Sequence, residues 1–409
     1  MSAGLYLHIP FCEHKCIYCD FYSIESMDRT GIFVRRLKEE IVSYGAGAKG
    51  ERFSTIFFGG GTPSLLEPAV IGEILDLLAS TYSIEPSAEI TLESNPGTVT
   101  PEKLRGYRSA GINRLSFGIQ SFHDDDLRFL TRIHTSEQAI EGFKMARRAG
   151  FGNINLDFIF ALPNQTMARW EKNLRQAVAL APEHISAYSL IVEPKTPLFR
   201  MVRAGRVSPL PIETEAELYE FTMEFLHAAG YEHYEVSNYA RPGFRSKHNS
   251  GYWNHSGYLG FGPSAHSFRG NRRWWNVSNL RTYCDSIGQG KLPVAGEEFL
   301  IPEQLFDEAV MLGLRGEGLD LGQLRSRYGV DLLANNAGEI ERFEGDGLML
   351  VEGERLRLTD KGYLLCDEIC ELLLVKTGQG SKPLRIGGIS SILTPNNDNR
   401  GSETLVLSA

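Results

Sequence analysis

LYLHIPFCEHKCIYCDFY, residues 5–22, sets a short apolar and aromatic run directly before Cys12, Cys16 and Cys19. The run reads as a buried strand. Three thiols just past its end place soft ligands at the edge where barrel enzymes put their chemistry. Thiolates suit iron–sulfur clusters, and three from one loop leave one iron of a cubane open to a small molecule. Zinc with His8 or His14 as fourth ligand, or three buried free thiols, is the alternative. No second cysteine knuckle follows, which favours the cluster.

Outward from this loop, comparable runs recur at 54–60, 89–95, 112–120, 153–163 and 184–192. Between them lie amphipathic segments such as RTGIFVRRLKEEIVSYG, PAVIGEILDLLASTY, SEQAIEGFKMARRAG and MARWEKNLRQAVALA, with apolar residues at helical spacing. Six strand–helix units build a parallel sheet by right-handed crossovers. The fold class is therefore α/β, an open partial (β/α)6 barrel over 1–210, whose open side suits a large flat substrate.

Residues 211–301 break the alternation: a helix at ETEAELYEFTMEFLHAAG precedes an aromatic, glycine-rich extension. Residues 302–375 offer three helical patterns, a hairpin turning at Glu352–Gly353 and a last helix, together a winged-helix-like α/β module. The acidic LLANNAGEIERFEGDG occupies the place where a DNA-reading helix needs basic residues, so the module is expected to pack, not to read DNA. The tail 376–409 is rich in Gly, Ser and Asn and is expected to be disordered.

Composition narrows the function. A net charge of -9 repels a phosphate backbone, so nucleic acid is not an expected partner. No stretch approaches the about 18 uncharged apolar residues of a membrane span. The start MSAGLYLHIP shows no signal-peptide progression, and scattered cysteines outside the loop make no disulfide framework, so a reducing cytoplasm is expected.

CEHKCIYC resembles the Cys-x3-Cys-x2-Cys loop of the radical S-adenosylmethionine superfamily. The resemblance implies a [4Fe–4S] cluster on Cys12, Cys16 and Cys19, whose open iron chelates S-adenosylmethionine, and an electron donor for the cluster. Gly59-Gly60-Gly61-Thr62-Pro63 is a weak signal alone; in the superfamily such a loop contacts the cofactor's methionine end. The same resemblance implies that Tyr6, Tyr18, Gly60, Gly61, Thr62, Glu93, Gln120, Arg132 and Asp157 surround S-adenosylmethionine.

Finer motifs point to the branch that holds oxygen-independent coproporphyrinogen III dehydrogenases and haem chaperones of the HemW kind. The dehydrogenases carry a further cysteine where Phe21 stands here, and an arm ahead of the first strand. His248, Asn249, Tyr252 and Trp253 match the HNxxYW motif of the chaperones. Imidazole and a flat apolar wall suit haem, although a packed aromatic hairpin explains the same residues. His255, His266, Trp274 and Trp275 are further donors and wall residues, read as structural. The expectation is a haem-binding chaperone with haem as cargo, no coproporphyrinogen dehydrogenase activity and no catalytic residue of its own. Its partner is a haem-accepting protein, and a membrane-bound acceptor would bring the chain to a membrane peripherally.

Overall fold

Each expected strand leads into a helix in the computed structural model, which describes residues 2–374; the expected tail lies outside the described residues. The strands are β1 (Ala3–Ile9), β2 (Arg52–Gly60), β3 (Ser83–Ser94), β4 (Arg114–Gln120), β5 (Ile154–Phe160) and β6 (His184–Ser189). They pair in that order, all parallel. Helices α1 (Thr30–Gly45), α2 (Pro68–Thr81), α3 (Pro101–Ala110), α4 (Asp124–Phe129), α5 (Ser136–Arg148) and α6 (Met167–Leu180) make the crossovers. Capping agrees with position: Thr100, Thr135 and Thr166 each accept a backbone N–H at a helix start.

β3 begins earlier than its apolar run suggests, because Ser83 and Ile84 already pair with Arg52 and Phe53 before a register shift. Exposed Ser83, Ser87 and the intervening Pro86 hide that stretch from hydrophobic periodicity.

The extension adds strands to both edges of the parallel sheet. β7 (Glu232–Glu235) and β8 (Asn238–Ala240) join β6, and β9 (Tyr258–Phe261) joins β1. β10 (His266–Arg269), β11 (Arg272–Asn276) and β12 (Val294–Phe299) continue outward. The result is a 12-stranded sheet whose end strands β12 and β7 do not meet, an open barrel in one continuous sheet.

Beyond it, helix Pro302–Arg315 leads to β13 (Leu319–Asp320), three further helices and the hairpin β14 (Met349–Glu352) to β15 (Arg355–Leu358). Glu352 pairs with Arg355, so the turn is Gly353–Glu354 and lies one residue later than expected. Gly353 has φ +62°, which a tight two-residue hairpin favours at its first central position.

Strand alternation divides the two faces of the sheet. Leu5, Leu7, Ile9, Phe58, Leu92, Leu115, Phe117, Leu156, Phe158 and Ile185 share the main core with Phe33, Leu37 and Ile41 of α1 and Leu174 of α6. The other face lines the lumen, and from β3 to β6 it is polar: Thr91, Glu93, Arg114, Ser116, Asn155, Asp157, His184 and Ser186 stand in register on adjacent strands. A closed eightfold barrel fills that space with branched apolar side chains. Here polar side chains line it from β3 to β6.

Candidate cluster loop and polar lumen

The cysteine loop leaves β1 at Pro10 and is held by backbone bonds from Cys12 N to Ile24 O (2.9 Å) and from Ile24 N to Pro10 O (2.7 Å). Gly59, Gly60 and Gly61 pass beneath it. A Cβ on Gly61 would lie 2.6 Å from Phe11 O and 2.9 Å from Ile9 O, and one on Gly60 would lie 2.6 Å from the His8 ring. The glycines are thus required by close packing against β1 and the cysteine loop, a neighbour that the sequence reading did not supply. Gly60 also has φ +106° and gives its N–H to Glu93 Oε2 at 3.1 Å.

Two donors address the sulfurs. Thr62 Oγ1 lies 3.6 Å from Cys12 Sγ, and Arg132 Nη1 lies 3.6 Å from Cys16 Sγ. Arg132 also donates to Gly118 O at 2.6 Å, while its Nε is buried without a partner. Thr131, with φ +56°, turns the chain there and accepts the Ile17 N–H at 3.2 Å. Burial pushes the Cys19 thiol up to about 12 and raises Cys12 as well. Such thiols ionise when a metal replaces the proton.

The donor set fits an iron–sulfur cube. Among the described residues no three His, Cys, Asp or Glu side chains converge as the ligands of one ion do, whereas in a cube each thiolate takes its own iron. The histidines of the zinc alternative are engaged elsewhere. His8 bonds Tyr6 Oη (3.1 Å) and Tyr22 O (2.8 Å), and exposed His14 pairs with Glu25 (3.1 Å).

Glu93 and Asp157 face one lumen. Burial, then the Asp157 charge, raises the Glu93 carboxyl to about 8. Burial also raises Asp157, although Ser116 Oγ (3.0 Å) and Asn155 Nδ2 (2.7 Å) donate to it. Two buried acceptors favour a cationic or donor-rich ligand. Tyr6 stacks on Phe57 with centroids 6.2 Å apart, Tyr18 packs on Leu130, Ile159 and Leu162, and Gln120 has φ +68° where the β4–β5 register breaks. The expected cofactor residues therefore gather around the lumen and the cysteine loop. Arg114, Ser116, Asn155, His184 and Ser186 were missed; their signal was polar residues two apart inside apolar strands.

The HNxxYW motif lies at the opposite end of the lumen from the cysteine loop. Helix Lys247–Trp253 carries it. His248 Nδ1 meets Thr55 Oγ1 at 2.7 Å, Nε2 meets Tyr252 Oη at 3.0 Å, and the His248 backbone N–H donates to Glu89 Oε1 at 3.1 Å. Thr55 pairs with Gly4 and Glu89, near where β1 to β3 enter the lumen. The cysteine loop starts beyond Ile9, about 16 Å further along at ~3.3 Å per residue. His248 is 3% exposed and stacks on Phe57 at 4.9 Å. Burial lowers it to about 3 and keeps the ring neutral. As folded, both ring nitrogens are engaged, as in the packed alternative. Asn249 is buried with Oδ1 unpartnered, and Trp253 lies against Gly316, where an added Cβ would be 2.7 Å from the Trp253 Cβ.

The Radical SAM superfamily model matches residues 6–177, and the HemN C-terminal domain model matches 300–365. The heme chaperone HemW of Bacillus subtilis is 37% identical over 370 residues, covering 89% of this chain and 97% of that protein. The heme chaperone HemW of Lactococcus lactis is 32% identical over 372 residues, covering 90% and 97%. The solved structure of coproporphyrinogen III oxidase (HemN) from Escherichia coli, a radical SAM enzyme, superposes with a TM-score of 0.78 at 25% identity over 91% of this chain and 90% of that one. Cysteine loop, open parallel sheet and near full-length similarity agree: the chain belongs to the HemW heme chaperone family of the radical SAM superfamily.

Proposed function

We propose that this chain carries a [4Fe–4S] cluster on Cys12, Cys16 and Cys19, binds S-adenosylmethionine in the polar lumen, and takes up haem for transfer to an acceptor protein. The observation that carries the reading is a three-thiol loop opening onto a lumen with Glu93 and Asp157 buried in its wall. The near full-length likeness to heme chaperones supports haem as cargo.

Bound there, the cluster would supply an open iron and a reducing electron. The chain's own residues do the positioning. Arg132 sets a cation beside Cys16 and keeps a buried N–H aimed at no protein group. Glu93 and Asp157 supply acceptors for a cationic ligand, and Gly60 fixes the Glu93 carboxyl. His248, Asn249, Tyr252 and Trp253 act on haem indirectly, by holding the lumen floor and the C-terminal module together.

No helix among the described residues is long and apolar enough to cross a membrane. We place the chain in the cytoplasm; a membrane-bound acceptor would recruit it without a span of its own. An electron donor for the cluster is a further partner.

The test is anaerobic reconstitution followed by haem titration. About four irons and four sulfides per chain are expected for a cubane, with a haem absorption change on titration. The structural match to HemN favours one second reading, radical decarboxylation of coproporphyrinogen III. Phe21 in place of a cysteine argues against it. Product formed on anaerobic incubation with that substrate, S-adenosylmethionine and reductant would establish the second reading instead.

A further inference from the structure

β9, β10, β11 and β12 carry the lumen face of the sheet outward past β1. In register across it stand Tyr6, Gly260, His266, Trp275 and Gly296. Tyr6 faces the lumen with Phe57. The residues aligned with it share that face, whereas Trp274, one position away, is buried on the other side and stacks on Tyr44.

Both glycines are structurally required. A Cβ on Gly260 would lie 2.0 Å from His266 O, and one on Gly296 would lie 2.5 Å from Trp275 Cζ2. The indole therefore lies flat over Gly296. His266 stacks on it, with centroids 5.9 Å apart and planes at 24°.

His266 differs from four buried histidines of the chain. His8, His134, His184 and His248 each engage both ring nitrogens. Among the described residues neither nitrogen of His266 has a hydrogen-bond partner, and neither is among the buried unpartnered atoms, so solvent reaches them. The ring is half-buried, and burial together with the Arg273 charge keeps it neutral at ordinary pH. A neutral imidazole with an open lone pair beside a flat indole has the form of an axial donor for a metalloporphyrin.

Resting on the haem reading above, we propose that His266 is the axial ligand to haem iron, with Trp275 as the apolar wall of the same site. Coordination forms one Fe–N bond, either displacing a water from iron or filling a vacant position on it, and needs no redox partner.

The experiment titrates haemin into the reconstituted full-length protein and into His266→Ala, His266→Gln and His248→Gln, following the Soret band with and without added imidazole. Thermal unfolding and iron content of each variant are measured alongside. In the parent, a histidine-type spectrum is expected. His266→Ala and His266→Gln should lose it and bind haem at least tenfold more weakly, imidazole should restore the band, and His248→Gln should keep the parent's band position. A parent that binds no haem overturns the haem reading and the ligand assignment together. A parent that binds, with folded His266 variants of unchanged spectrum, overturns His266 alone and leaves the haem reading standing.

Discussion

Arg132 Nη1 lies 3.6 Å from Cys16 Sγ across 116 positions of sequence. This contact ties the turn after α4 to the cysteine loop after β1. It sets a fixed positive charge where a cluster thiolate would stand, so one residue bears on the cluster and on the lumen.

Arg132→Gln should lower the reduction potential of the reconstituted cluster by tens of millivolts, because a nearby cation stabilises the more negative reduced form. Redox titration followed by electron paramagnetic resonance measures this. An unchanged potential would remove Arg132 from the cluster's surroundings.

Gly61→Ala should disturb the cysteine loop directly. The new methyl would sit 2.6 Å from Phe11 O, and backbone cannot yield as a flexible side chain does. A loss of about 1–3 kcal/mol in stability is expected, with reduced iron per chain after reconstitution. Denaturant unfolding and iron analysis check the two effects separately.

His248 links stability to pH. Its ordinary value of 6.5 is lowered to about 3 by burial, so below about 6.5 the unfolded chain takes up a proton that the fold refuses. The stabilisation is full above that pH and is lost as pH falls toward 3. His248→Gln should reduce the pH slope of stability in this window by about 1.4 kcal/mol per pH unit. His8 and His134, lowered to about 4 and about 3, keep a residual slope of the same sign. Equilibrium unfolding across pH compares the two proteins.

The C-terminal module docks through buried charge. Arg273 of β11 meets Glu308 of helix Pro302–Arg315 at 2.5 Å, and His255 lies 3.2 Å from the same carboxylate. Glu308→Gln leaves Arg273 with half-exposed Glu298 alone and should cost about 3 kcal/mol. Replacing both partners, Arg273→Met with Glu308→Met, should recover most of that loss. Chemical denaturation of the three variants decides it.

Periodicity made the six parallel strands and most of their helices legible, because most of each strand's helix-facing residues are apolar. The cysteine loop was legible because thiols are scarce in the chain and dense in that place. The lumen was harder to read. Asn155 and Asp157, or His184 and Ser186, look like strand interruptions until register sets Ser116, Asn155 and His184 side by side. The surroundings of His248 were not legible for a different reason: a motif gives residue types, whereas Thr55, Glu89 and Tyr252, which occupy its hydrogen bonds, come from distant chain or from its own helix. The extension's return to both sheet edges depends on long-range pairing that local pattern does not carry. Gly260 and Gly296 look like loop residues until cross-strand neighbours are known.

Iron and acid-labile sulfide counted on the anaerobically reconstituted protein, beside a triple Cys12→Ala, Cys16→Ala, Cys19→Ala variant, tests the central claim most directly. The account predicts about four of each per chain in the parent, a resonance signal that changes on adding S-adenosylmethionine, and neither iron nor sulfide in the variant. Stoichiometric zinc without sulfide in the parent, or equal iron and sulfide in both proteins, would contradict it.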